Sequence, residues 1–404
     1  MKIVQVNAVY KKSSTGRTCE ELERELQKVG HEVITACGSK TQESKSVIRI
    51  GNDLDVKIHG ILSRITGHQG YFSVMATKKF LRFLKAYKPD VVHLRNLHGN
   101  YINLPMLLKF LAKNDIATVI TLHDCFFYTG KCTNYLKEKC DRWKTGCHNC
   151  PRKKLDNPSW FFDFSKRLWK QKKGYFEQIK RLAVVGVSEW TKEHAKESIL
   201  KSAPIIKRVY NWIDLDLFKP HDVSELRKDM DLEDKFIIFC IAQKWTEEKG
   251  ISVIKSIADN MPENWRIIMV GSVPQNISLD KKVIRMGVVS DTKTLSDYYT
   301  LADVFVTPSI QETFGKTTAE AISSGTPVVA FRSLAIPELI GDDGKCGYIL
   351  DENNPKLYID KIKSIESVGK KEFEVNCRAR AEEYFDCKTN VREYEEIYKS
   401  LLKM

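Results

Sequence analysis

Residues 302–330 read ADVFVTPSIQETFGKTTAEAISSGTPVVA. Val304 to Thr307 is a short β-rich run that ends at Pro308-Ser309, where proline halts regular pairing. A loop carrying Glu312 and Gly315 follows, then a helix from about Lys316 to Gly325, then a second apolar run, Val328 to Phe331. Two apolar strands joined through one helix form a crossover unit, and strands apolar along their length belong to a parallel sheet covered on both faces. The helix opening offers backbone N–H groups and the positive end of a dipole to a phosphate, with Thr317 and Thr318 as added donors. Glu312 and Glu320 stand on the loop and about one turn into the helix, so both are expected to face one ligand. A carboxylate accepts hydrogen bonds from vicinal hydroxyls, and two of them along an extended ligand suit a hexose at one end and a ribose at the other.

The same alternation extends in both directions. In the second half Phe236 to Ala242 and Arg266 to Val270 read as further strands; in the first half Lys2 to Val6, Glu32 to Ala36, Val91 to Leu94 and Thr118 to Leu122 do. Charged amphipathic stretches separate them, among them Cys19 to Val29, Met75 to Tyr87 and Leu104 to Ala112. At 404 residues the chain exceeds one ordinary core. The reading is α/β with two doubly wound, Rossmann-like domains: 1–208, with a cysteine-rich insert at about 125–151; 209–385; and a last helix, 386–404, returning across the join. Ligands of such sheets lie at the carboxyl ends of the strands, so the two domains are expected to face an interdomain cleft.

With 42% hydrophobic and 29% charged residues, the composition excludes disordered, collagenous and disulfide-scaffold classes. No apolar run approaches the ~20 residues of a spanning helix, and the opening Met-Lys-Ile-Val-Gln-Val lacks a secretory layout, so a cytoplasmic protein is expected. Its eleven cysteines are then reduced thiols or metal ligands. Cys147-His148-Asn149-Cys150 has a two-residue gap that lets two thiolates grip one ion, and Cys132 and Cys140 would complete a structural zinc site; reduced structural thiols or redox-labile pairs are the alternatives.

Charge is uneven. Residues 1–208 hold 39 Lys+Arg against 19 Asp+Glu, and residues 209–404 hold 26 against 33. A basic half implies an anionic partner: phospholipid, pyrophosphate or nucleic acid. Residues 137–173 concentrate 12 Lys+Arg against 4 Asp+Glu, interleaved with Trp143, Trp160, Phe161, Phe162, Phe164 and Trp169. Aromatic wedges beside cations suit an anionic membrane surface, each cation contributing about 1 kcal/mol.

Four further places carry chemistry. Lys244 and Lys249, at and after the end of the strand Phe236 to Ala242, are placed to neutralise a leaving diphosphate. Gly271 ends the next strand, and Val288 lies in the following loop. Gly16 and Arg17 lie in a small-residue loop before a helix, another approach for an anionic group. His123-Asp124 ends the strand Thr118 to Leu122, with Asp124 expected to fix the tautomer of His123.

The pattern Pro308-Ser309, Glu312, Phe314-Gly315, Glu320-Ala321, Gly325, Pro327-Val328-Val329 resembles that of the retaining glycosyltransferases of family 4, whose fold is GT-B. Bacterial capsule, exopolysaccharide and O-antigen glycosyltransferases are of this kind. The resemblance implies that Glu312 contacts the transferred sugar, the Phe314 to Lys316 backbone its hydroxyls, and Glu320 the nucleotide ribose. It implies the nucleotide base at Val288, the donor phosphates or acceptor near Gly16 and Arg17, and the sugar at His123. Where the family usually carries Arg, this chain has Lys244, a point charge in place of a bidentate fork.

Together these features predict a transfer from a UDP- or GDP-sugar to a lipid-linked or polysaccharide-precursor acceptor. The enzyme would be peripheral on the inner face of the cell membrane, with no metal in the transfer step and no nucleic-acid partner. A sugar-nucleotide epimerase of the same fold fits the basic, aromatic first half less well. A zinc-containing nucleic-acid-binding protein leaves Glu312 to Pro327 without purpose.

Overall fold

The computed structural model describes residues 1–40 and 45–404. Its elements run β1 (Lys2–Asn7), α1 (Ser13–Lys28), β2 (Glu32–Cys37), β3 (Val47–Arg49), α2 (Asp53–Thr66), α3 (Val74–Tyr87), β4 (Val91–Leu94), α4 (Leu104–Lys113), β5 (Ala117–Leu122), α5 (Ser165–Phe176), β6 (Leu182–Gly186), α6 (Glu189–Glu197) and β7 (Ile205–Arg208). They continue with α7 (Ser224–Asp229), β8 (Phe236–Lys244), α8 (Ile251–Asn260), β9 (Trp265–Ser272), β10 (Val283–Gly287), α9 (Thr292–Leu301), β11 (Val304–Thr307), α10 (Lys316–Ser323), β12 (Val328–Phe331), α11 (Ile336–Ile340), β13 (Gly347–Leu350), α12 (Pro355–Val368), α13 (Lys371–Tyr384) and α14 (Cys387–Leu402). Unit 1 is Met1–Val209 with Lys388–Met404; unit 2 is Tyr210–Cys387.

Both sheets are parallel throughout. Unit 1 has the order β3-β2-β1-β4-β5-β6-β7, and unit 2 has β10-β9-β8-β11-β12-β13. In each, the chain starts at a central strand, winds outward one way, and returns to wind the other. That creates a switch point between β1 and β4 in unit 1 and between β8 and β11 in unit 2. The strands are buried on both faces as their apolar runs require: all of β4, β5 and β6 is buried.

The last helix belongs to the first sheet. Tyr394, Ile397, Tyr398 and Leu401 of α14 are buried, and the Tyr398 hydroxyl lies 2.8 Å from His93 Nδ1 on β4. The other ring nitrogen of His93 lies 2.7 Å from Thr121 Oγ1, which is 2.9 Å from the Tyr394 hydroxyl. Burial, with Arg95 nearby, holds the His93 pKa well below the ordinary value, so the ring is neutral in this network.

The helix expected from Cys19 starts earlier, at Ser13, so Gly16 and Arg17 stand in its opening turns and not in a loop. Asn7 Nδ2 donates to the Thr15 carbonyl, and Thr18 Oγ1 donates to the Ser14 and Thr15 carbonyls, which winds the small-residue segment into helix. At Gly16 a Cβ would lie 3.2 Å from Lys11 N and from Val9 Cγ2, so the preceding chain folds closely over it.

Candidate active site

Ligands of open α/β sheets lie where the strand order reverses, beyond the carboxyl ends of the strands. In unit 2 that place is bounded by the segments after β8 and β11. After β8 a short turn, Glu247–Lys249, is capped by Thr246, whose hydroxyl accepts from Lys249 N, and it closes on Gly250 at φ 79°. A Cβ at Gly250 would strike Pro308 Cγ at 2.4 Å, so only glycine lets the two segments approach this closely. Ile310 N donates to the Glu248 carbonyl at 3.1 Å, fastening the segments together.

This proximity brings Lys249 Nζ to 2.6 Å from Glu312 Oε1 and 3.4 Å from Ser309 Oγ. The lysine side chain is 39% exposed and the glutamate 20%. An ion pair so open to water contributes little to folding, about 0–1 kcal/mol. Holding a cation and a carboxylate side by side at a switch point makes more chemical than structural sense: the cation suits a phosphate, the carboxylate a hydroxyl.

Beside them Gly315, at φ 90°, precedes α10, and among the described residues no side chain caps the helix. A Cβ on Gly315 would meet Ile336 Cδ1 at 2.8 Å. Thr318 N and Ala319 N both donate to the Gly315 carbonyl, and the Thr318 hydroxyl oxygen is buried without a hydrogen-bond partner among the described residues. Lys316 and Thr317 in the first turn are half-buried. Phe314 is buried between Tyr210 and Phe385, with ring centroids 6.1 and 5.9 Å away, so only its backbone is available to a ligand. Glu320, 2% exposed, accepts a hydrogen bond of 3.0 Å from the Tyr299 hydroxyl, a partner that sequence reading did not single out.

Lys244 is exposed at the end of β8, opposite Ser272 across a register shift in the β8–β9 pairing. Gly271, at φ 120°, is there for backbone reasons: a Cβ would lie 1.7 Å from the Ala242 carbonyl oxygen. Val288 follows β10 and is 64% exposed.

In unit 1, His123 lies half-buried just beyond β5. Asp124 does not serve it as expected. Its Oδ2 lies 2.7 Å from His98 Nε2, and its Oδ1 accepts from Phe126 N at 2.8 Å. Burial works against the charged form of His98, but the charge and hydrogen bond of Asp124 outweigh it and raise the pKa. His98 follows β4 as His123 follows β5; its carboxyl-edge position was the available signal, hidden in a turn-like Asn-Leu-His-Gly-Asn stretch.

The insert between β5 and α5 is organised by ammonium groups. Lys131 Nζ donates to the carbonyls of Lys153, Asp156 and Asn157, and Lys172 Nζ to those of Phe126 and Thr129. Burial pushes the Lys172 pKa down to about 7. Among the described residues no three His, Cys, Asp or Glu side chains come together in a way that could hold a metal ion. Cys132, Cys140, Cys147 and Cys150 stand as free thiols within this insert. The Cys132 thiol donates to the Cys150 sulfur, raising its own pKa and lowering that of Cys150, while Gly130 N donates to Cys147 Sγ at 3.2 Å. The aromatic wedge is also smaller than expected. Trp143 is buried against Tyr128 and Tyr135, and Phe164 and Trp169 are half-buried; Trp160, Phe161 and Phe162 are 49%, 64% and 53% exposed.

Residues 15–217, half of the chain, match the sequence profile described as Glycosyltransferase Family 4, and residues 222–384 match Glycosyl transferases group 1. A sulfoquinovosyl transferase of Arabidopsis thaliana is 36% identical over 124 residues, which is 29% of this chain and 24% of that protein. The alpha-monoglucosyldiacylglycerol synthase of Acholeplasma laidlawii is 24% identical over 347 residues, covering 82% of this chain and 80% of the synthase. The match thus spans about a quarter of the plant relative and most of the bacterial one. A solved glycosyltransferase structure from Rickettsia africae superposes with a TM-score of 0.70 at 20% identity, over 99% of this chain and 98% of that one, which shows a common fold. With two parallel Rossmann-like sheets and both halves matched by glycosyltransferase profiles, the chain belongs to glycosyltransferase family 4 and has the GT-B fold.

Proposed function

We propose that the chain transfers a sugar from a UDP- or GDP-linked donor to a hydroxyl of a lipid-linked or polysaccharide-precursor acceptor, with retention at the anomeric carbon. The observation that carries this reading is the Lys249–Glu312–Ser309 contact at the unit 2 switch point, next to a helix opening that no side chain caps. The bond between the anomeric carbon and the diphosphate oxygen breaks, and a bond to the acceptor oxygen forms on the same face. The acceptor proton passes to the departing diphosphate.

Lys244, Lys249 and the first turn of α10 at Lys316, Thr317 and Thr318 stabilise the charge that develops on that diphosphate, where a preorganised donor is worth most. Glu312 and the Phe314–Gly315 backbone hold the sugar, Glu320 the ribose, and Val288 lies by the base. At the carboxyl edge of unit 1, His123 offers its imidazole to a sugar hydroxyl, and Gly16 and Arg17 approach an anionic group. No step is routed through a metal.

A lipid acceptor is supported by a relative named for a glucosylated diacylglycerol and by the exposed aromatic residues beside the cations of unit 1. None of the described helices is long and apolar enough to cross a membrane, so the location proposed is peripheral, on the inner face of the cell membrane, with no nucleic-acid partner.

Glu312→Ala tests the reading. Transfer is expected to fall by about 10²-fold or more, with the thermal midpoint within about 1 kcal/mol of the parent's stability because the lost ion pair is half open to water. A screen with UDP, GDP and their sugars identifies the donor, since a ligand at a hundred times its Kd raises stability by about 2.7 kcal/mol. Full activity in Glu312→Ala would refute the site.

A further inference from the structure

Helix α2 is built inside out. Its inward face carries His59, 0% exposed, Gly60 and Ser63, 1% exposed. His59 Nδ1 lies 2.7 Å from Ser73 Oγ, and burial pushes its pKa down to about 4, so a neutral ring is packed beneath the helix. Its outward face carries Leu54, Ile58, Ile61 and Ile65, exposed by 64%, 47%, 50% and 38%. At 100° per residue these four fall within one narrow stripe. An amphipathic helix of a water-soluble surface turns that stripe inward; here it faces out along about three turns.

A second apolar element adjoins it. Trp160 N donates to the Arg64 carbonyl at 2.7 Å, and Gly67, which ends α2, lies against Ser159, the Phe162 carbonyl and Phe164. This places the exposed Trp160, Phe161 and Phe162 at the carboxyl end of the stripe. Single exposed apolar residues need no explanation, but seven on adjoining elements mark a docking surface.

We propose that the α2 stripe and the 160–162 loop form the face by which unit 1 seats on an anionic phospholipid bilayer. Charge selects this occupant. Lys57 and Arg64 flank the stripe, and Lys154, Lys166, Arg167 and Lys170 stand exposed or nearly so around the loop. The nearby acids are already engaged: Asp53 with Arg49 and Asp55 with the backbone N–H of Asn52 on α2 itself, Asp156 with Arg152, and Asp163 with the backbone N–H of Cys150 and Ser165. Beside the first turn of α2, a cavity of about 640 Å³ is lined by Arg49, Lys79 and Arg82, by Asp55 and by Phe80 and Phe83, with Arg49 paired to Asp53. A second copy of the same face would set these cations against each other, whereas lipid phosphates neutralise them while acyl chains take the isoleucines.

The inference rests on the proposed function for its peripheral location alone and uses none of the donor chemistry of unit 2. The test is co-sedimentation of the full chain with vesicles of phosphatidylcholine alone and with a third of it replaced by phosphatidylglycerol. The parent is expected to pellet with the anionic vesicles only. The variant Ile58→Glu with Ile61→Glu, and separately Phe161→Ser with Phe162→Ser, are expected to lose at least tenfold in vesicle affinity. Both should keep the parent's thermal midpoint and its stabilisation by nucleoside diphosphate. Since every substituted side chain is exposed, both variants are expected to fold. Parent-like vesicle binding in both variants would overturn the proposal, as would a parent that ignores anionic vesicles. A parent that is dimeric, and becomes monomeric in the variants without any vesicle response, would assign the face to a second copy. Vesicle binding that is lost in the variants while no nucleotide stabilises any of the proteins would support this face and count against the donor site instead.

Discussion

The two sheets share one topology and use their switch points in opposite ways. In unit 1, Asn7 at the point between β1 and β4 donates to the carbonyls of Val9 and Thr15 and accepts from Asn96 N, while the buried Arg95 donates to Thr18 through one nitrogen and its other two find no partner among the described residues. In unit 2 the corresponding point presents Lys249 and Glu312, both partly open to water, whose side chains bond to each other and, for Lys249, to Ser309. An amide such as Asn7, bonded on both sides to nearby backbone, holds a turn; groups held in place but still hydrated remain available to a ligand. The comparison teaches that topology supplies a place, and that the bonding state of the side chains there decides whether the place is structural or chemical.

The comparison can be attacked first through the backbone. If the unit 2 edge stays open on the ligand side because β8 and β9 are drawn tight behind it, Gly271→Ala should be severe. The residue sits at φ 120°, with a Cβ position 1.7 Å from the Ala242 carbonyl oxygen. A loss of about 3 kcal/mol or more is expected in chemical denaturation, and a loss under about 1 kcal/mol would break that half of the contrast.

On the unit 1 side, His93→Ala removes a neutral ring that bridges β4, Thr121 and Tyr398. A cavity, the loss of the Tyr398 hydroxyl's partner and of one of Thr121's two should lower stability by about 2–4 kcal/mol. Activity per folded molecule should hold, which would sharpen the view that this network is structural.

The smallest effect concerns pH. His98 is raised by Asp124, so its contribution to stability is complete below the ordinary histidine value and is lost as pH rises through the raised folded value. Asp124→Asn should therefore remove a decline in thermal midpoint as pH rises above the ordinary histidine value. His93, lowered by burial, acts with the reverse sign: it erodes stability as pH falls below the ordinary value. A midpoint profile that Asp124→Asn leaves unchanged would separate His98 from the pair.

How much of this was legible follows from how far apart the interacting residues are in sequence. The crossover unit from Val304 to Phe331 could be read because strand, loop, uncapped helix and strand are contiguous, with Glu312 and Gly315 inside it. Lys249 also stood out, as a lysine beyond a strand end, but its contact with Glu312 spans 63 positions and needed the register of β8 beside β11. The His98–Asp124 pair failed for the same reason, since β4 and β5 must first be paired. In the insert, nothing in the sequence announces a lysine that will turn inward onto carbonyls, as Lys131 and Lys172 do. Periodicity finds the stripe of α2 but not its direction, because amphipathicity is the same whichever way a helix is rotated.

The return of α14 to the first sheet has a temporal side. Tyr394 and Tyr398 complete the polar network on β4 and β5, although some 270 to 300 residues separate them from it along the chain. On the ribosome, where N-terminal segments emerge first, unit 1 must wait with His93 and Thr121 bonded to each other but without their tyrosine partners until unit 2 has been made. Unit 2 is in effect a complete insertion inside its neighbour's chain, and it is the one that can finish first.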